Sequence, residues 1–165
     1  MSGDGAPKLA VSGVKADGEP YRIIVIASQW HTQIMDALIA GATSVGTESG
    51  ADVQLVRVPG SFELTVAAEQ AARSGADGVV TLGVVVRGET PHFDYVCQSA
   101  TLGLTDVARS HCIPVGFGLL TVDTVQQALD RAGLPDSKED KGAEAMEAVL
   151  ATLETLNVVA EVAPR

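Results

Sequence analysis

The sequence predicts one α/β domain built around a parallel sheet, and three observations support that expectation. Four short apolar runs recur along the chain, each followed by a polar segment and a stretch of helical period. One of them, Gly78 to Val86 (GVVTLGVVV), is apolar or small at nearly every position, the pattern of a strand covered by helices on both faces. Aromatic residues make up only 4% of the chain, so the core has to come from Val, Leu and Ile strands under Ala-rich helices. A chain of 165 residues is long enough for one such core and has the usual size of a single domain.

Residues 1–20 are rich in Gly, Pro, Ala and charge, with a short apolar touch from Leu9 to Val14. They are expected to form a flexible N-terminal arm unless something outside the domain holds it. The domain proper is expected over residues 21–158, with 159–165 as a C-terminal tail. Tyr21 to Ala27 (YRIIVIA) reads as the first buried strand, and Ser28, Gln29, Trp30 and His31 lead into a helix from Ile34 to about Ser49. Ala51 to Val58 alternates enough to be the second strand, which Pro59 and Gly60 stop. Ser61 is placed to cap a helix that runs to Gly75.

The strand Gly78 to Val86 comes third, and the polar segment RGETPH then opens a helix from Phe93 to Ser110. Ile113 to Leu120 is a fourth short strand, Thr121 to Arg131 a capped helix, and GLPDSKEDKG a loop. A last helix runs from about Glu139 to about Leu156 with Ala143, Met146, Val149, Leu150 and Leu153 on one stripe. Right-handed crossovers make such a sheet parallel and put its ligand beyond the carboxyl ends of the strands.

Acidic side chains outnumber basic ones, 21 to 11, for a formal charge of -10. That field repels nucleic acid and acidic membranes over most of the surface, yet a local basic pocket inside it still captures a small phosphorylated ligand. Cys97 and Cys112 form no CxxC pair, zinc cluster or disulfide framework, so reduced thiols in a cytoplasmic protein are the simpler expectation. No apolar twenty-mer and no basic start before an apolar run occur, which argues against membrane insertion and secretion. GxGxxG after the first strand, GxxxxGK[ST], HExxH and GxSxG are all absent, removing the commonest dinucleotide, nucleotide, metalloprotease and hydrolase readings.

The segment Arg87, Gly88, Glu89, Thr90, Pro91, His92 is the strongest local signal, because it joins the most buried strand to a helix start. Gly88 suits a close backbone turn, and amides with the Thr90 hydroxyl at a helix start suit an anion. The imidazole of His92 suits proton transfer, although the same residues also fit a plain capped helix with a surface histidine. Trp30, the only tryptophan, suits stacking on a planar heterocycle or simple packing. Phe62 and Phe117 suit core before pocket, and Glu63 suits ligand hydroxyls or the helix dipole. Arg131 and Lys141 suit a phosphate or ordinary surface ion pairs, while Cys97 and Cys112 suit small buried hydrophobes.

Five segments occur together in order: PGSFEL (Pro59 to Leu64), LGVVVRGETPHFDYV (Leu82 to Val96), PVGFGLLTVDT (Pro114 to Thr124), QALDRAG (Gln127 to Gly133) and DKG (Asp140 to Gly142). This set resembles the lumazine synthase family over residues 20–156, and its RGxTxHFDYV stretch is highly specific. The resemblance implies a three-layer α/β/α sandwich with a central four-stranded parallel, flavodoxin-like sheet. It implies the condensation of 5-amino-6-(D-ribitylamino)uracil with 3,4-dihydroxy-2-butanone 4-phosphate to give 6,7-dimethyl-8-ribityllumazine, phosphate and water, with no metal and no redox cofactor.

It also implies a homo-oligomer whose sites lie between subunits. One chain would supply Trp30 to stack on the pyrimidine, Ser61, Phe62 and Glu63 to meet the ribityl chain, and the backbone of Val85 and Val86 to read the pyrimidine edge. The same chain would supply Gly88, Glu89 and Thr90 as a phosphate turn and His92 as the proton shuttle. Its neighbour would supply Phe117, the phosphate-binding Arg131 and Lys141. His31 stands where many members have Asn. The stretch from Arg131 to Lys141 is longer than the compact form and lacks the short Gly-rich turn of relatives that build shells, so a cyclic pentamer is expected. Ala10 to Val14 is expected to add a strand to the adjacent subunit's sheet. A non-catalytic lumazine or flavin binder of the same fold is the alternative. An acidic flavodoxin-like regulator would explain the fold but not the RGETPH and PGSFEL segments.

Overall fold

Strands form where Val, Ile and Leu run together, and four of them pair in parallel: β1 (Arg22–Ser28), β2 (Asp52–Val58), β3 (Gly78–Val86) and β4 (Val115–Val122). Their order in the sheet is β2-β1-β3-β4. The computed structural model describes residues 9–163, so residues 1–8 of the arm and 164–165 of the tail lie outside the described residues. The helices are α1 (Thr32–Glu48), α2 (Leu64–Arg73), α3 (His92–His111), α4 (Val125–Leu129) and α5 (Lys141–Val162).

Alternation along β3 feeds two cores. Val80, Leu82 and Val84 face a layer made with Met35 and Leu38 of α1 and Met146, Val149 and Leu150 of α5. Val79 lies in the opposite layer with Leu64 and Ala68 of α2 and Ala100, Leu104 and Val107 of α3. The result is the expected α/β/α sandwich with a flavodoxin-like parallel sheet. Its chain order reverses between β1 and β3, which opens a crevice at their carboxyl ends. No helix among the described residues is long and apolar enough to cross a membrane.

Several element boundaries differ from the sequence expectation. Thr121 and Val122 belong to β4 rather than to the following helix, because β3 runs on to Val86 and pairs Val85 with Thr121 and Val86 with Val122. The helix expected from Thr121 is therefore the short α4, capped by Thr124, whose side chain accepts from the Gln127 N–H. Ser61 does not cap α2: it opens a 3-10 turn, Ser61–Glu63, that delays the helix to Leu64. The final helix is capped by Asp140, whose Oδ1 accepts from the Ala143 N–H at 2.9 Å, and it continues past Leu156 to Val162.

The arm, expected to be loose unless held from outside, is from Ser12 on held by the domain itself. The Ser12 N–H donates to Glu154 at 2.8 Å, the Gly13 N–H donates to the Ser49 carbonyl while its own carbonyl accepts from the Tyr21 N–H, and Val14 bridges Pro20.

Candidate active site

Three loops meet at the crevice. Trp30 and His31 follow β1, Gly60 to Glu63 follow β2, and Val84, Val85 and Val86 form the end of β3, with His92 and Val96 from the first turns of α3. Together they line an open, largely apolar pocket of about 590 Å³. Trp30 is 67% exposed and Phe62 60%, so two large aromatic faces stand in the open at its mouth. Ser61 is buried beside Gly83, where its Oγ would lie 2.8 Å from an added Cβ.

His31 adopts the left-handed conformation (φ 58, ψ 62), and its carbonyl accepts the Met35 N–H at 3.0 Å to start α1. Few side chains tolerate that geometry, and His and Asn are among those that do. Histidine thus tolerates the turn that follows Trp30 at the crevice mouth. Gly60 has a matching role on the other side. A Cβ there would come within 3.1 Å of Glu63 Oε2 and 3.7 Å of the Trp30 indole nitrogen, so glycine leaves room for both groups to converge.

Between Val86 and His92 the chain is exposed. The amides of Gly88, Glu89 and Thr90 donate to no acceptor among the described residues, and Pro91, not Thr90, is the residue that precedes α3. Three N–H groups beside a helix start form a suitable cradle for a phosphate. Gly88 itself is not demanded by the fold, as its φ is not positive and an added Cβ would meet nothing within 4 Å. The close turn expected of it is absent, so only an approaching ligand or neighbour would need a glycine there.

The structure does not bring Phe117, Arg131 or Lys141 to this pocket, and Gly88, Glu89 and Thr90, in the turn between Val86 and His92, are not among its lining residues. Phe117 stands near the amino end of β4, 46% exposed, against Cys112, Ala148 and Thr152. Arg131 and Lys141 are brought together elsewhere. The Lys141 N–H donates to the Arg131 carbonyl at 3.0 Å, Ala132 bridges Asp140, and the N–H groups of Lys138 and Glu139 both donate to the Asp130 carbonyl.

Glu139 lies between the two cations, 3.5 Å from Arg131 Nε and 3.4 Å from Lys141 Nζ, with its side chain only 12% exposed. Arg131 also donates to the Gln127 carbonyl at 2.9 Å, and Lys141 pairs with Glu144 at 2.6 Å. Burial alone would lower the Lys141 ammonium, but the hydrogen bond to Glu144 and the charges of Glu144 and Glu139 outweigh it, and the net shift is upward. A raised pKa suits Lys141 to act as a point charge.

Four pocket residues were missing from the sequence reading of the site: Val84 and Val96 entirely, Gly60 except as a strand stop, and His31 except as a departure from Asn. Spacing held the signal for two of them. Val84 shares a strand face with Val86, and Val96 lies one helical turn after His92.

A parallel α/β sandwich with an aromatic, largely apolar crevice at the β1/β3 switch point and an exposed amide turn has the make-up of a protein that takes a planar ligand beside an anionic group. Residues 20–157 match the family model for 6,7-dimethyl-8-ribityllumazine synthase. The chain is 56% identical over 165 residues to the 6,7-dimethyl-8-ribityllumazine synthase of Kineococcus radiotolerans, covering 99% of this chain and 98% of that one. The enzyme of the same name from Micrococcus luteus is 58% identical over 152 residues, covering 92% and 94%, and that from Streptomyces coelicolor 56% over 162 residues, covering 98% of each. The chain belongs to the 6,7-dimethyl-8-ribityllumazine synthase family.

Proposed function

We propose that this chain condenses 5-amino-6-(D-ribitylamino)uracil with 3,4-dihydroxy-2-butanone 4-phosphate to give 6,7-dimethyl-8-ribityllumazine, phosphate and water, at sites completed by a neighbouring copy of itself. The observation behind this reading is the separation of two built half-sites. One chain holds an open aromatic pocket followed by a turn whose amides are unpaired among the described residues, and the same chain holds a cation pair that does not reach that pocket. A second copy that lays its Arg131, Lys141 and Phe117 against the pocket would join them.

Large exposed apolar side chains outside the pocket support assembly. Val66 of α2 and Tyr95 and Leu102 of α3 are 62% to 69% exposed, apolar surface that a neighbouring copy would cover. The assembly is a cyclic pentamer in which each interface makes one site. Light scattering is expected to give a mass near five chains, and a mass near sixty would contradict the pentamer. The unpaired Cys97 and Cys112 suit a cytoplasmic location, which cell fractionation would check.

The sparse site fits the chemistry. The pyrimidine amine is itself the nucleophile and forms an imine with the ketone, expelling water, so no enzyme nucleophile is required. Elimination then needs a held phosphate as leaving group and a proton carrier, and the ribitylamino nitrogen attacks the remaining carbonyl carbon to close the ring, expelling a second water. Trp30 stacks on the pyrimidine, Val85 and Val86 present backbone to its edge, and Ser61, Phe62 and Glu63 meet the ribityl chain. The amides of Gly88, Glu89 and Thr90 with the neighbour's Arg131 and Lys141 hold the departing phosphate. His92 moves protons at the rim. Holding two reactants together supplies much of the acceleration.

The test mixes both substrates with purified protein and follows lumazine absorbance and released phosphate in parallel. Equal, protein-dependent formation of both is expected. Tight lumazine or flavin uptake, read as quenching of Trp30 fluorescence, without turnover above the spontaneous reaction would replace the synthase reading with a binder.

A further inference from the structure

Arg87 opens the RGETPH segment but lines no part of the pocket, and the chemistry above leaves it without a task. Its side chain is instead the hub of the turn. Nε donates to Asp123 Oδ1 at 2.8 Å, just past β4, and Nη1 donates to Asp94 Oδ1 at 3.2 Å in the first turn of α3. The guanidinium carbon lies 4.1 Å from the centroid of the Phe93 ring, and Phe93 is buried. The backbone N–H of Arg87 donates to the Val122 carbonyl at 2.9 Å.

These contacts bracket Gly88 to His92 from both ends. They also extend further. The Asp123 N–H donates to Gln127 Oε1 at 2.8 Å, and the Gln127 carbonyl accepts from Arg131 Nη1 at 2.9 Å. A planar guanidinium reaches two carboxylates while its face rests on a ring, which the single ammonium of lysine cannot reproduce.

The amides of Gly88, Glu89 and Thr90 have no acceptor among the described residues, so no hydrogen bond within the turn fixes their direction. An anion cradle is effective only when its N–H groups are already aimed. We infer that Arg87 is a positioning residue of the phosphate turn. Its fork sets residues 88–92 in register with β4 and α4, so that the amides and the His92 imidazole face the phosphorylated substrate. The inference rests on the functional reading above. Both ion pairs are solvent-exposed and singly weak, so their effect falls on site geometry rather than on folding.

The experiment compares wild type with Arg87→Ala and Arg87→Lys, using Arg109→Ala as a control. Arg109 makes a similar exposed pair with Asp106, 2.8 Å, near the far end of α3. Steady-state rates are measured with each substrate varied, inorganic phosphate is titrated by calorimetry, and thermal unfolding is recorded. In Arg87→Ala the KM for the phosphorylated ketone and the Kd for phosphate are expected to rise about tenfold, with the KM for the ribitylaminouracil and the Tm unchanged. Arg87→Lys should recover only a minor part, and Arg109→Ala should match wild type.

Wild-type constants in a folded Arg87→Ala would overturn the inference. So would equal losses for both substrates that track a fall in Tm. If wild type binds phosphate without making lumazine, the synthase reading fails on its own, and the phosphate titration still decides the role of Arg87: weaker binding in Arg87→Ala supports it, unchanged binding overturns it. A wild type that neither binds phosphate nor turns over overturns both.

Discussion

The crevice at the ends of β1 and β3 and the loop ahead of α5 treat their polar groups in opposite ways. In the crevice, Trp30 and Phe62 are exposed, and three successive amides have no acceptor among the described residues. In the loop, each cation is already answered: Arg131 by Gln127 and Glu139, Lys141 by Glu139 and Glu144. The crevice offers unspent binding capacity, while the loop keeps two like charges together by sharing one nearly buried carboxylate between them. Neither region by itself combines a cavity with fixed cations. The first lacks positive charge, and the second lacks a cavity and a planar surface. The difference teaches that a half-site is recognised by what it leaves unsatisfied, and its complement by what it holds in reserve.

The largest effect is expected where the loop is anchored. An added Cβ at Gly142 would lie 2.0 Å from the Leu38 carbonyl oxygen, a backbone atom of α1 that cannot step aside. Gly142→Ala should therefore cost about 3 kcal/mol, read by chemical denaturation; a stable variant would mean that α5 is not locked where Lys141 needs it. Next, Arg131→Ala should raise the KM for the phosphorylated ketone about 10- to 100-fold, the worth of a charge-assisted hydrogen bond, and leave the uracil KM in place. Unchanged dependence on the ketone would detach the loop from the site. His92→Ala should slow turnover by less than about 10², because positioning survives the loss of a proton carrier. Wild-type turnover across the pH range would remove His92 as the shuttle.

The smallest expected effect concerns Asp140. Burial pushes its carboxyl above the ordinary value, against the pull of the Ala143 and Gly142 N–H groups. The folded chain thus holds that proton more tightly than the unfolded one, and the ionised group costs stability as pH rises through the raised pKa. Asp140→Asn keeps a capping oxygen and removes that cost. It should match or exceed wild type by at most about 1 kcal/mol at pH 7, with the gap closing as pH falls toward the ordinary carboxylate range. A constant gap across pH in urea titrations would show that the charge is not the cause.

Local pattern made most of the fold legible. GVVTLGVVV reads as a covered strand because helices do lie on both of its faces, and the stripe of Met146, Val149 and Leu150 reads as a core helix because it packs under the sheet. What escaped depends on partners far along the chain. Thr121 and Val122 extend β4 because β3 is there to pair with them, and Ser12 to Tyr21 is tied down by Glu154 and Ser49. In the candidate site, the placement of Ser61, Phe62, Glu63 and His92 at the crevice was legible because they follow strand ends. The hub role of Arg87 was not, since Asp123 lies 36 residues away. The left-handed turn at His31 showed in sequence only as an exchange of residue type.

The shared site is tested most directly by complementation between two defective chains. One variant carries Glu63→Ala and His92→Ala in the crevice, the other carries Arg131→Ala and Lys141→Ala in the loop, and the two are dissociated and reassembled together in equal amounts. In a ring whose sites take one half from each neighbour, about a quarter of the interfaces would pair two intact halves. The mixture should then recover up to that share of wild-type turnover while each variant alone stays near background. Mixed rings of confirmed composition that remain as inactive as their parents would contradict a site divided between two copies.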